Sequence, residues 1–301
     1  MKNAIIGLVL LFSALVQAQE TIVVVNAQGP SQSMTPQIFA VVDEANKIQN
    51  KYKFVMEFKA GGFESIGVRE ALEHPKNRIV TITNSVVEAE SRGLVDLNKL
   101  EPVFSHGSAC WALITNFNEK NLPKEITIGG PAIGGATHLI GLEIGKKLNI
   151  PVRYIVYRSN ADAFFHMVSD DNSVNFIVER VTSYNQFVTK NPKLQIIGMN
   201  CPERHPDLPQ IKTLTEQKIA APYIFHFTMA SKEMPKETQE NISAIFQKAT
   251  LSLGKNKLFE LGDFISPVFY KQDTKTHYNT SISTLKSFRE KYKAEIKQAA
   301  N

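Results

Sequence analysis

The stretch TIGGPAIGGATHLIGLEIGKK, Thr127–Lys147, decides the fold. Glu125–Ile128 reads as a short strand. Gly129, Gly130, Pro131, Gly134 and Gly135 then make a loop that cannot be regular structure. From Ala136 the pattern turns helical, with Ile140, Ile144 and Leu148 four apart and Leu139 and Leu142 beside them. Thr137 or a neighbouring glycine opens that helix. Such a junction gathers unpaired backbone N–H groups at the positive end of a helix dipole. It binds anions without Lys or Arg. A tight βα turn whose glycines serve packing alone would look the same, and the stretch by itself supports both.

The same strand–glycine-loop–helix unit occurs at Val23–Ala45. Ile22–Val25 is a continuous apolar run, the mark of a buried parallel strand. The loop NAQGPSQS, Asn26–Ser33, follows, and then a helix with Ile38, Val41, Val42, Ala45 and Ile48 on one face. Further strands are expected at Phe54–Phe58, Arg78–Thr83, Trp111–Thr115, Val152–Val156, Val174–Val178 and Leu194–Gly198. Strands alternating with helical patterns mean an α/β fold with parallel sheets. Ligands in such sheets bind at the carboxyl ends of the strands, so two such ends facing each other make a cleft. The tail changes character: Pro235 opens a helix, Gly254 interrupts it, and an amphipathic Lys-rich helix runs from about Thr280 to Lys297. No internal repeat and no long Ser/Gly/Pro linker separates these parts.

Composition narrows the class. The chain has 301 residues, 43% hydrophobic and 21% charged, enough for one large or two medium domains. Lys2, the apolar run Ala4–Leu15 and the small-residue site Val16-Gln17-Ala18 form a secretory signal, so the mature chain is expected to begin near Gln19. No later run is long enough to span a membrane, and no Cys follows the cleavage site to carry a lipid anchor. The net charge of +5 falls to +4 without Lys2. It is scattered, with no basic stripe carrying interleaved aromatics, which argues against nucleic-acid binding. Export permits a Cys110–Cys201 disulfide, but two buried free thiols fit the sequence equally.

The mature chain, from Ile22 to about Lys297, resembles the periplasmic solute-binding receptors of tripartite tricarboxylate transporters, the TctC or Bug family. The motifs that carry the resemblance are IVVVNAQGP, KFVMEFKAGGFESIGVREAL, GGPAIGGATHLIG, IPVRYIVYRSNADAFFHMVSDDNSVNFIV and RHPDLPQIKTLTE, the last being Arg204–Glu216. The resemblance implies a two-lobed type II periplasmic-binding-protein fold with a ligand cleft between the lobes. Lobe 1 is expected over 19–122 and again from 228 to 301, and lobe 2 over 123–227. It also implies that two glycine loops hold a ligand carboxylate through backbone N–H groups. That role falls on Gly29, Pro30, Ser31, Gln32 and Ser33 in the first lobe and on Gly134, Gly135, Ala136 and Thr137 in the second. Tyr157, Ser159 and Ala161 would line the same cleft, and Glu179 stands where the family usually has Asp. Three positions depart from the pattern: Pro30-Ser31 replaces a Gly-Gly pair, Met34 an Asp, and Phe58 an Asn. Pro30 donates no N–H.

Catalytic signatures are missing. There is no G-x-S-x-G and no H-E-x-x-H, and the seven His are dispersed. His138 at the helix start is read as a packing or capping residue, His205 as solvent-facing in its Pro-rich turn, and Cys110 as a buried strand residue. Ser85, after the third strand, either reaches the cleft or caps a helix. Arg158 and Arg180 are the candidate charge partners for an anion. The function expected is a soluble, monomeric periplasmic receptor, not an enzyme, with no cofactor and no metal. It would hand a small carboxylate to membrane permease subunits. A sensor-kinase partner and an exported α/β hydrolase are the alternatives.

Overall fold

The computed structural model describes residues 19–30, 35–118, 120–157, 160–169, 173–181, 191–262, 264–270 and 273–300. The expected signal peptide lies outside them, as do Ser31, Gln32, Ser33, Arg158 and Ser159.

In chain order the elements are β1 (Glu20–Asn26), α1 (Thr35–Ile48), β2 (Tyr52–Phe58), α2 (Ser65–Glu73), β3 (Arg78–Thr83), α3 (Val86–Ser91), β4 (Leu100–Ala109) and β5 (Trp111–Thr115). Then come β6 (Ile126–Gly130), α4 (Ala136–Leu148), β7 (Val152–Val156), α5 (Asn160–Val168), β8 (Phe176–Arg180) and β9 (Gln195–Asn200). The chain closes with β10 (Phe225–Ser231), α6 (Lys236–Leu253), α7 (Lys255–Gly262), β11 (Phe264–Ile265), α8 (Thr274–Lys291) and α9 (Lys293–Ala299).

Two sheets result, a six-stranded one in the order β11-β4-β10-β3-β1-β2 and a five-stranded one in the order β7-β6-β8-β5-β9. The apolar run of β1 sits between β2 and β3, parallel to both, and its Ile22, Val24 and Val25 are fully buried. The sheets are mixed, not parallel as expected. β10 runs antiparallel to β3 and β4, and β5 antiparallel to β8 and β9. The reason is connectivity: β4, β5 and β10 are joined by passages between the sheets and not by right-handed helical crossovers, so nothing holds them parallel.

The passage between sheets is abrupt. β4 ends at Ala109 in the first sheet and β5 begins at Trp111 in the second, with Cys110 alone between them. The chain therefore changes sheet well before the boundary expected at Leu122. It returns to the first sheet with β10, beginning at Phe225. Cys110 and Cys201 are bonded to each other, with Cα atoms 4.8 Å apart. Trp111 and Asn200 are directly paired between β5 and β9, so the disulfide extends that register by one residue at the crossing.

α4 packs flat on its own strand. A Cβ on Gly141 would meet Ile128 Cδ1 at 1.7 Å, so any other residue there would force the buried Ile128 side chain to move. The final helix breaks at Tyr292 into α8 and α9. α8 contributes Tyr278, Ile282 and Leu285 to a buried cluster shared with Leu139 and Leu142 of α4 and Phe227 of β10. The C-terminal segment thus bridges both sheets. Among the described residues no helix is long and apolar enough to cross a membrane.

The disulfide closes a loop with a sequence separation of 91. Chain entropy alone puts its contribution at about 4 to 5 kcal/mol. The double variant Cys110→Ala/Cys201→Ala should show a urea midpoint lowered accordingly, with reduced wild-type protein following the variant. Equal midpoints for oxidised and reduced protein would count against this.

Candidate ligand cleft

Between the two sheets lies a cavity of about 120 Å³. It is small beside the roughly 300–1,000 Å³ of pockets for drug-sized ligands. Its second-sheet wall begins with the glycine loop after β6. Most of the N–H groups of that loop are already used. Ala132 N–H donates to the Tyr154 hydroxyl at 3.3 Å, Gly134 N–H to His138 Nδ1 at 3.0 Å, and Gly135 N–H to the Ala132 carbonyl at 3.1 Å. The first bond within the helix is Leu139 N–H to the Gly135 carbonyl at 3.0 Å. The N–H groups of Ala136, Thr137 and His138 precede it and have no carbonyl behind them. No side chain caps this helix start, where Gly135 is the extended N-cap residue. Gly135, Ala136 and Thr137 line the cavity. The unpaired N–H groups beside the cavity are therefore those of the helix start itself.

This corrects one expectation. Gly134 offers no N–H to a ligand, because the loop folds back on His138. Gly134 has φ +71°, and its carbonyl accepts from Arg289 Nη1 at 2.8 Å. Arg289 also pairs with Glu88 of α3. His138 is buried, its ring 4.4 Å from that of Tyr154. Burial, and then the Arg289 charge, lower its pKa to about 4, so it is the neutral acceptor the Gly134 N–H requires. His138 thus takes the packing role of the two that the sequence suggested, closing the loop on itself and leaving the first N–H groups of the helix uncapped.

The first-sheet wall comes from side chains. Gln28, Thr83, Asn84 and Ser85 line the cavity. The expected donors Gly29 and Pro30 are not in its lining, and the Gly29 carbonyl accepts from Thr35 Oγ1 at 3.2 Å. Ser85 is at the cavity and is also the residue before α3, where its side chain makes no cap bond. Behind this wall sits Glu64, 4% exposed, a residue that sequence reasoning missed. Its carboxylate oxygens accept from Thr83 N–H at 2.8 Å, Thr83 Oγ1 at 2.5 Å and Gln28 Nε2 at 3.1 Å. Phe63 and Glu64 both have positive φ, 55° and 74°. Strain of this kind persists only where the surroundings enforce it.

Two other expected residues are placed outside the cavity lining. Tyr157 donates its N–H to the Gly130 carbonyl at 2.9 Å and stacks on His166, outside the cavity lining. Ala161 falls in α5, its side chain outside the described ones. Glu179 is buried, and its Oε1 accepts from Arg180 N–H at 2.9 Å. His205 is also corrected: it is fully buried, with its ring 4.7 Å from Phe259 and its Nδ1 accepting from Asp207 N–H at 3.1 Å. In the same motif Arg204 grips Glu216 at 2.9 and 3.0 Å, while Glu216 and Thr213 cap each other, so RHPDLPQIKTLTE is a self-closing loop. A larger hollow of about 450 Å³ between β4, α6 and α8 shares no residue with the cleft. Its Lys275 and Glu101 pair with each other at 2.8 Å.

The architecture has close counterparts among solved structures. The periplasmic binding protein BugD superimposes with a TM-score of 0.68 at 17% identity, over 91% of this chain and 97% of BugD. A TctC solute-binding protein from Polaromonas gives 0.69 at 13% identity, over 90% and 97%. The chain has the fold of the TctC and Bug solute-binding proteins. MatC from Rhodopseudomonas palustris, solved with bound malate, gives 0.67 at 11% identity, over 90% and 98%. These likenesses are of fold. No protein-family model matches the chain, and no curated protein matches it in sequence.

Glu64 makes stability depend on pH. Burial pushes its carboxyl up to about 7, against the bonds from Thr83 and Gln28 that favour the ionised form. The folded value lies above the unfolded one of 4.5, so the folded state holds this proton longer. The stability this represents is fully present below about pH 4.5 and is lost as pH rises through about 7. His138 and His106, whose pKa values burial lowers to about 4 and about 3, act in the opposite sense, adding stability as pH rises towards 6.5. Comparison with Glu64→Gln cancels the histidines. The stability advantage of wild type over Glu64→Gln should shrink by roughly 2 to 3 kcal/mol between pH 5 and 8 in urea titrations. A difference independent of pH would show that Glu64 is ionised throughout.

Proposed function

We propose that this protein is an exported receptor of the TctC/Bug type that captures a small carboxylate between its lobes and passes it to a tripartite tricarboxylate-type permease. The observation that carries this reading is the start of α4: three backbone N–H groups without helical partners, beside a cavity between the two sheets. Neutral donors fixed by a helix stabilise an anion with little reorganisation. They also release it more readily than a bidentate Arg would. The malate bound to MatC supports a carboxylate ligand. We take the lobes as 19–109 with 225–300, and 111–200, and the mature protein as a periplasmic monomer cut after Ala18, the position favoured by its n-region, apolar core and small-residue site.

A receptor is favoured over a hydrolase by the placement of polar groups. Ser105 Oγ lies 2.8 Å from His277 Nδ1, but Ser105 is 1% exposed and neither residue lines the cavity. Binding, not turnover, is the chemistry that an anion-holding helix start provides.

A thermal-shift screen of the mature protein against small carboxylates tests this. A ligand at about a hundred times its dissociation constant should add roughly 2.7 kcal/mol. Ala136→Pro then tests the mechanism. Pro suits the first helical position, and Gly135 before it is extended (φ −75°, ψ 172°), as a residue preceding Pro must be. The variant should melt near wild type yet bind about ten- to a hundredfold more weakly, the value of a hydrogen bond to a charged group. Unchanged affinity would mean that the anion sits elsewhere.

A further inference from the structure

The first wall of the cleft is held by a buried carboxyl with no counter-charge. Glu64 stands at the N-cap of α2, yet its side chain makes no cap bond there. It turns instead to the wall. Oε2 accepts the Thr83 N–H at 2.8 Å, and Oε1 lies 2.5 Å from Thr83 Oγ1 and 3.1 Å from Gln28 Nε2. Gln28 and Thr83 both line the cavity. The Thr83 hydroxyl oxygen also accepts the Ser85 N–H at 3.2 Å. Charges on the neighbouring elements are paired with one another. Glu57 of β2 and Glu70 of α2 pair with Arg78 and Lys59, Glu88 of α3 with Arg92 and Arg289, and Glu90 with Lys286. Arg69 and Glu73 of α2 are exposed, and His226 of β10, at the same cavity, is kept neutral chiefly by burial. Among the described residues no ion pair reaches Glu64. Positive φ at Phe63 and Glu64 is the backbone outlier that puts the carboxyl behind this wall, and such outliers gather at ligand clamps and switches.

We propose that Glu64 is a positioning residue for ligand capture: its proton, passed on through the Thr83 hydroxyl, becomes a hydrogen-bond donor to the bound anion. This rests on the receptor function proposed above. A carboxylate only accepts, so an ionised Glu64 draws the Thr83 O–H to itself. A protonated Glu64 has one hydrogen to place. Two of its three contacts are N–H groups, which only donate, and the Thr83 hydroxyl alone accepts. The bond between Oε1 and Oγ1 therefore reverses. Oγ1 already receives the Ser85 N–H, so its own hydrogen turns to the side that remains, the cavity. One proton taken from solvent by Glu64 thus becomes one O–H donor in the cavity that the start of α4 also lines, and it returns to solvent when the ligand leaves. An ionised Glu64 withdraws that donor and leaves a negative charge behind the wall. Burial raises the carboxyl to about 7, so both forms are populated near neutral pH. The sign follows: the donor is present below about pH 7 and is lost as pH rises through it.

The test is titration calorimetry of the mature protein with malate and adipate between pH 6.5 and 8.5, in paired buffers of different ionisation enthalpy. Affinity should fall by about five- to twentyfold across this range, since only the protonated form carries the donor. Binding at pH 7.5 should take up about half a proton or more per ligand, read from the buffer dependence of the heat. In Glu64→Gln the uptake should be absent and the affinity independent of pH. Thr83→Val breaks the relay and should bind at pH 6.5 as weakly as wild type does at 8.5, while Thr83→Ser restores the wild-type profile. Infrared difference spectra at pH 7.5 should show ligand converting one carboxylate to a carboxylic acid, a signal missing from Glu64→Gln. Three results overturn the role of Glu64 and leave the receptor function standing: wild-type affinity that is flat with no proton uptake, uptake that survives Glu64→Gln, or a wild-type profile in Thr83→Val. Failure of malate, adipate and every other acid of the thermal-shift screen to bind at pH 6.5 overturns both. The wild-type profile and proton count decide the matter where a variant does not fold.

Discussion

One residue of chain separates the two sheets, and the cleft depends on that constraint. With only Cys110 between β4 and β5, the first residue of the second sheet has to stand at the seam, and it is Trp111. The return passage lands β10 between β3 and β4, which brings His226 to the opposite side of the same cavity. The Cys110–Cys201 bond fixes the β5–β9 register at this point, so the seam cannot slip by a residue and turn Trp111 to the other face. A short, stapled crossing determines which side chains the cleft receives before any ligand is considered.

Within that frame the electrostatics are arranged by subtraction. Nearly every charge that could crowd the cavity is neutralised by burial or committed to a partner. His138 and His226 are held neutral, and Arg289 and Glu88 face each other at the rim. Glu64, behind the first wall, holds its proton into the neutral range. What remains uncommitted at the second-sheet wall is the set of N–H groups at the start of α4 and the buried Nε1 of Trp111. A positive potential made of fixed dipoles favours an anion while leaving few mobile groups to reorganise around it.

The sequence made α4 and β1 legible because each is decided locally. A glycine loop before a four-residue apolar period, and an unbroken Val/Ile run, are signals that tertiary structure has no reason to override. β4 and β10 were not legible. Their polar residues Ser105, His106, Ser108, His226 and Thr228 look solvent-exposed in one dimension, yet all are buried. They pay for it with long-range bonds, His106 Nε2 to Thr228 Oγ1 and Ser105 Oγ to His277, whose partners lie more than a hundred residues away. His205 was misplaced for the same reason, since its stacking partner Phe259 belongs to a helix from another part of the chain. In the cleft, the loop around Gly134 was found from its glycines. The choice of free N–H groups could not be, because it turns on Tyr154 and His138 taking two of them. Glu64 left one faint trace, a Gly-Gly-Phe-Glu turn before a helix, which marks unusual backbone without saying what it buries.

The C-terminal helix ties these levels together. Arg289 comes from α8, pairs with Glu88 on α3 and reaches across the seam to the Gly134 carbonyl; Lys291 reaches Glu143 of α4 in the same direction. Ile296 of α9 lies 3.3 Å from where a Gly134 side chain would begin. Positive φ and these neighbours together explain why this position is glycine, with no role for ligand approach. The contacts also bear on how a ligand could move the lobes. A ligand shifts an equilibrium only by its different affinity for the two states. Part of the contact between the two sheets is made by α8 and α9 without a ligand, so the ligand has less of it to supply. Under the proposed function, closure over a small anion then requires only a few hydrogen bonds, and reopening breaks no strong side-chain clamp at the start of α4.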